Sequence, residues 1–266
     1  MKRSDSAELR ITLLVLAVAG GLLGCHRLAG GPPADHPETI LDHFLCYEAV
    51  DPEPAPAAID LHDQFDAEGY RRPAQVTRVL AFCNPAAKRY KDRESKIRNE
   101  DHHLVGYLVE TKGEGEPVAI DNQITGYKKV DVKLDRPLWL FAPAQKLSPK
   151  EHGKPQGLDH FLCYRPMDPK RIDEPVAVKD QFTREYKDAK IGPLRAICNP
   201  VDKRHDGKEF HPEHPNAHLA CYELKLDFQP PNVRYRDQFH PELGGLMLRR
   251  PWALCVPSNK EKKPQP

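Results

Sequence analysis

Serine is scarce in this chain. Beyond residue 25 it occurs only at Ser95, Ser148 and Ser258. None of them stands in the Gly-x-Ser-x-Gly setting that exposes a nucleophile on a strand-to-helix turn. A glycine-rich loop able to cradle phosphate is missing as well. So is any excess of charge. Forty basic and 39 acidic residues leave a net charge of +1, which offers nucleic acid no basic face. No Cys-x-x-Cys pair occurs, so the spacing of zinc knuckles is absent. Long helices are disfavoured by 27 prolines, about twice the usual ~5% share; this composition suits short strands joined by loops.

What the chain does contain is a repeat. His43-Phe44-Leu45-Cys46-Tyr47 leads through Asp63-Gln64-Phe65 to Phe82-Cys83-Asn84-Pro85. The same order returns from His160 through Asp180-Gln181-Phe182 to Cys198-Asn199-Pro200, and from His218 through Asp237-Gln238-Phe239 to Cys255-Val256-Pro257. A worn copy runs from His103 and Tyr107 through Asn122-Gln123-Ile124 to Phe141-Ala142-Pro143. The opening histidines are 60, 57 and 58 residues apart, and a fixed period of this kind governs architecture before any local motif does.

Residues 1–24 read as an export signal: Lys2, Arg3 and Arg10, then an apolar core from Ile11 to Leu23 that is short for a membrane span of ~20 residues. Leu22-Leu23-Gly24-Cys25 resembles the lipobox of bacterial lipoproteins. The resemblance implies cleavage before Cys25 and lipid on its sulfur, with 25–40 as a flexible tether. The expected location is the periplasmic or outward face of a bacterial membrane.

Six further cysteines remain, one early and one late in each intact copy. The worn copy has lost both together, with Gly106 and Phe141 in their places. Joint loss marks a bonded pair, since a lone thiol is a liability. Cys46 is therefore expected to pair with Cys83, Cys163 with Cys198, and Cys221 with Cys255. Gly106 is expected beside Phe141, whose ring fills part of the missing bridge's volume. Such bridges imply an oxidising compartment.

Within each copy the run after the histidine is mostly continuous and apolar, as in a strand covered on both faces. The recurring tyrosine is expected in the core, its hydroxyl on a polar partner. A period-two stretch precedes the glutamine, and the Asp or Asn before that glutamine suits an Asx turn. A proline two residues past the late cysteine position ends the last strand. These signals predict an all-β protein of two tandem antiparallel β-sandwich or barrel-like domains, 41–147 and 158–260. Each would be built from two quarter repeats, with a linker at 148–157 and a disordered tail at 261–266. A single ring of four quarters, as in a propeller, is the alternative.

The repeated His-x-x-Cys-Tyr, Asp-Gln-Phe and Cys-Asn-Pro segments also resemble an uncharacterised domain of secreted and cell-surface bacterial proteins. The resemblance covers about residues 41–260, departs from its pattern at Gly106 and Phe141, and implies an exported, disulfide-bonded all-β module. It supplies no catalytic residue.

The candidate chemistry is thin. His211, His214 and His218, with Glu213 between them and His205 nearby, offer a set that could hold Zn or Cu, although Pro212 and Pro215 keep them off one helical face. Trp139 and Trp252 could stack on sugars, though packing in the core also explains them. The reading that follows is a non-enzymatic, lipid-anchored envelope protein. It would bind or scaffold an envelope protein or polysaccharide, with no nucleic acid and no obligatory cofactor. A metal protein built on the His211 loop, or a carbohydrate-binding surface module, are the alternatives.

Overall fold

A computed structural model describes residues 35–54 and 56–264; Cys25 and the signal region lie outside them. Sixteen strands and no α-helix occur among these residues. The first copy supplies β1 (His43–Val50), β2 (Ala57–His62), β3 (Arg72–Tyr90) and β4 (Arg93–Ser95). The second gives β5 (His103–Thr111), β6 (Val118–Asp121), β7 (Val130–Val132) and β8 (Leu134–Lys146). From the third come β9 (Phe161–Pro166), β10 (Glu174–Lys179), β11 (Lys187–Pro200), β12 (Asp202–His205) and β13 (Lys208–Phe210). The fourth adds β14 (His218–Lys225), β15 (Val233–Arg236) and β16 (Gly244–Lys262).

The early and late strands of the four copies close a ring. β1 pairs with β3, β3 with β5, β5 with β8 and β8 with β9. β9 then pairs with β11, β11 with β14, β14 with β16, and β16 returns to β1. Every pair is antiparallel, so this is an eight-stranded barrel with no open edge in its wall. The all-β class stands. The division into two domains does not appear in the sheet: β8 and β9 pair directly across the expected linker, and β1 joins β16. Physically, four strands per half would have left two unpaired edges each, and closure removes them all.

Which face looks inward is settled by two indoles. β8 and β16 are four places apart on a ring of eight, yet the rings of Trp139 and Trp252 lie 5.1 Å apart at 84°. They meet across the lumen. Phe141 shares the inward parity of Trp139 on β8, and the cysteines of the other copies fall on this face too. The three expected cysteine pairs stand at bonding distance, with S–S separations of 2.07, 2.07 and 2.00 Å. Each faces its partner directly across adjacent strands, which brings the Cα atoms to 3.8–4.0 Å, closer than the usual ~4.4 Å or more. Neighbouring bridges touch: Cys46 and Cys255 sulfurs are 3.8 Å apart, Cys198 and Cys221 sulfurs 3.9 Å. Where the bridge is missing, Gly106 sits opposite Phe141, and a Cβ on Gly106 would lie 2.6 Å from the Phe141 ring. Phe44, Leu104, Phe161 and Leu219 complete an apolar lumen of buried side chains.

The other face of the wall carries Leu45, Tyr47 and their counterparts, within a second and larger apolar cluster. The second strand of each copy helps to cover it. β2, β6, β10 and β15 each pair within their own copy. Each also pairs with the end of a late segment from the copy opposite: β2 with β12, β6 with the end of β16, β10 with the end of β3, β15 with the end of β8. The Asx turns follow as expected, with the backbone N–H groups of Phe65, Ile124, Phe182 and Phe239 donating to Asp63, Asn122, Asp180 and Asp237. The tyrosines reach those same side chains across the diagonal. Tyr47 donates to Asp180 at 2.7 Å, Tyr107 donates to Asp237 at 2.5 Å, and Asn122 donates to Tyr222 at 3.1 Å.

Two segments are more ordered than composition suggests. His36, within the expected tether, is fully buried and caps the short turn Pro37–Thr39. Glu261 and Lys262, within the expected tail, pair with Ala119 and Val118. Polar sequence is no bar to order where a strand edge waits for a partner.

Candidate binding site at the barrel mouth

At one end of the barrel the apolar lumen gives way to a bowl of about 690 Å³ lined by Trp139, Trp252, Glu48, Arg195, Glu223 and Arg250. These residues come from β1, β8, β11, β14 and β16, so the bowl is the mouth of the barrel and not a surface crease. The residue two places after the early cysteine faces it in two copies, as Glu48 and Glu223; its counterpart Arg165 lines an adjoining hollow that shares Trp139 and Arg195. Each pairs with an opposite charge on the next strand. Arg250 Nη2 is 3.0 Å from Glu48, Arg195 pairs with Glu223, and Arg165 with Asp135. The Arg165 guanidinium holds the Asp135 carboxyl below its ordinary range.

Ion pairs this exposed add little stability. They do fix planar, forked donors beside carboxylate acceptors, next to two half-buried indoles. Trp252 Nε1–H is covered and has no acceptor among the described residues, a donor that costs free energy until it is met. Aromatic faces beside fixed hydrogen-bonding groups in a barrel mouth are the makings of a small-molecule site.

On the reverse face of the wall a second feature repeats four times, and its signal is a lysine three residues after the late proline of each copy: Lys88, Lys146, Lys203 and Lys260. Those prolines are expected from sequence to end the last strand, but only Pro200 does; Pro85, Pro143 and Pro257 lie within β3, β8 and β16, which run on past them to the paired strand of the copy opposite. The strand pattern does not draw attention to it, yet the spacing is constant. Lys88, Lys146 and Lys203 are buried, and Lys260 has its Nζ covered. Each stands near the opening histidine of its own copy, and the glutamine of the next copy round the ring reaches the same place. Lys88 donates to Gln123 and Lys146 to Gln181. Gln181 is 3.0 Å from His103, Gln238 2.8 Å from His160, and Gln64 3.4 Å from His218. Burial pushes Lys88, Lys203 and Lys260 down to about 7 and Lys146 to about 8. It also drives His43, His160 and His218 well below the ordinary histidine value, and His103 to about 3. Each cluster is thus a desolvated amine and imidazole buried at the junction of neighbouring copies.

The structure does not bring the candidate metal ligands together. His211 lies on the surface against Asp202 and Glu209. The backbone N–H of His214 donates to Asp159 at 2.9 Å. His218 is buried against Gln64. Among the described residues no group of three His, Cys, Asp or Glu side chains is placed to share an ion. The prolines account for this: they send the loop across the surface while His218 starts a buried strand.

Comparison with curated proteins and with solved structures finds no match. A protein-family model, described as a repeat of unknown function (DUF7450), matches residues 114–257, which is more than half of the chain. With its four-copy ring and three in-copy cysteine bridges, this chain belongs to that repeat family.

Proposed function

We propose that the protein is a non-catalytic binding module of the bacterial envelope, held there by lipid on Cys25, and that its barrel mouth takes a saccharide. The observation that carries the ligand class is the bowl itself: Trp139 and Trp252 edge to face, flanked by two arginine–carboxylate pairs, Arg250 with Glu48 and Arg195 with Glu223. Sugar rings offer C–H faces to aromatic surfaces and hydroxyls to forked donors and acceptors. The Leu-Leu-Gly-Cys25 sequence and the oxidised cysteine pairs support export.

An oligosaccharide array, followed by titration calorimetry, tests the ligand class. Retention of at least one oligosaccharide is expected, with affinity falling at least tenfold in Trp252→Ala while the melting curve stays cooperative. A blank array, or binding untouched by changes at Trp252 and Arg195 together, overturns the reading. Globomycin-sensitive processing and palmitate labelling lost in Cys25→Ser test the anchor.

A further inference from the structure

The worn second copy departs from the repeat at one more position, and that departure opens a cavity. In three copies the aromatic residue after the glutamine lies on the tyrosine of the copy opposite. The ring centroids are 4.9 Å apart for Phe65 and Tyr164, 5.3 Å for Phe182 and Tyr47, and 4.9 Å for Phe239 and Tyr107. The second copy has Ile124 in that place, so no such ring covers Tyr222. A pocket of about 560 Å³ is lined by both of them, within the ~300–1,000 Å³ of small-molecule sites.

Its walls are apolar: Val118, Val130, Ile172 and Leu194 join Ile124 and Tyr222. The two hydroxyls in this lining are already engaged: Tyr222 receives a hydrogen bond from Asn122, and the Thr125 hydroxyl bonds the Asn122 backbone. The rim is charged and unbalanced. Lys263 pairs with Asp131, while Lys133, Lys170 and Arg171 have no ion-pair partner among the described residues and Asp168 is the sole unpaired acid there. The late strand of this copy also breaks at Lys133, between β7 and β8, where β3, β11 and β16 run on unbroken.

We propose that this pocket binds an aliphatic carboxylate, its chain against Ile124 and Tyr222 and its head group among Lys133, Lys170 and Arg171. An apolar chain is favoured by every wall residue. The three cations outnumber Asp168 on this rim, so a carboxylate, which meets them with charge-assisted hydrogen bonds, is favoured over a neutral or cationic head group. The site is separate from the barrel mouth, so its test and that of the saccharide reading succeed or fail independently.

Titration calorimetry with dodecanoate below its micellar concentration tests it on the folded, oxidised protein. The wild type should bind. Ile124→Phe restores the residue that three copies already carry, so it keeps the fold, fills the pocket and should weaken binding at least tenfold. Ile172→Trp, on the loop before β10, closes the pocket from the other side and should do the same. A double change of Lys170 and Arg171 to glutamate should weaken dodecanoate binding and leave dodecanol unaffected. No heat with dodecanoate, equal binding by both pocket-filling variants, or equal affinity for dodecyltrimethylammonium would each overturn the proposal.

Discussion

Replacing Lys203 by methionine should stabilise the protein, and the gain should depend on pH in a stated direction. Lys203 is fully buried, and its Nζ has no hydrogen-bond partner among the described residues. Burial lowers its proton affinity from the ordinary 10.5 to about 7. The folded pKa is therefore below the unfolded one. The folded protein loses stability as pH falls from about 10.5 towards 7, and below 7 the full penalty applies. At ~1.4 kcal/mol for each tenfold change in proton affinity, that penalty is about 5 kcal/mol. The Phe210 and Phe239 rings, with centroids 4.1 and 5.2 Å from Nζ, return up to ~2 kcal/mol when the amine is charged. Lys203→Met removes the ion and keeps most of the apolar stem, so it should gain roughly 3 kcal/mol at pH 6 and close to nothing at pH 10. Guanidinium unfolding at pH 6, 8 and 10, with the disulfides intact, measures the difference. A variant less stable than wild type at pH 6, or a difference that does not change with pH, refutes the reasoning.

Two further outcomes follow from the repeat. Gly106→Cys combined with Phe141→Cys should form a fourth bridge, because the two positions are register partners like the three native pairs; non-reducing peptide mapping should find it, whereas Gly106→Cys alone should destabilise by collision with the Phe141 ring. Asp180→Ala should cost about 3–5 kcal/mol in chemical denaturation, because Asp180 accepts from Tyr47 at 2.7 Å and Asn84 at 2.8 Å and also holds its own turn. Truncation leaves those buried donors unpaired.

The period, the cysteine pairing, the Asx turns and the buried tyrosines were all legible, because each depends on contacts that recur within a copy or at a fixed offset. The ring was not. Nothing local in Pro143 or Phe161 says whether β8 meets β9 or turns to close on β1, and the polar stretch at 148–157 looks the same as a loop or a linker. The mouth was half legible: Trp139 and Trp252 stood out, but their meeting depends on barrel closure. The lysines could have been found, since Lys88, Lys146, Lys203 and Lys260 share one spacing; a proline in this place is expected to end its strand, a charged residue just past it would then face solvent, and that expectation hides them. His211, His214 and His218 misled for the converse reason, because closeness in sequence does not survive a loop with two prolines.

The join between β1 and β16 also sets the order in which the barrel can form. Each intact copy closes a local loop of 34–37 residues with its own bridge, so each hairpin can be locked by local oxidation. The wall cannot close until β16 arrives, since Leu45 pairs with Leu254, more than two hundred residues later. A partly synthesised or clipped chain therefore presents two raw strand edges, one at β1 and one at its newest strand, each a template for pairing with another chain. Folding is therefore expected to be slow for a protein of this size, because the contacts that close the wall are the most distant in sequence.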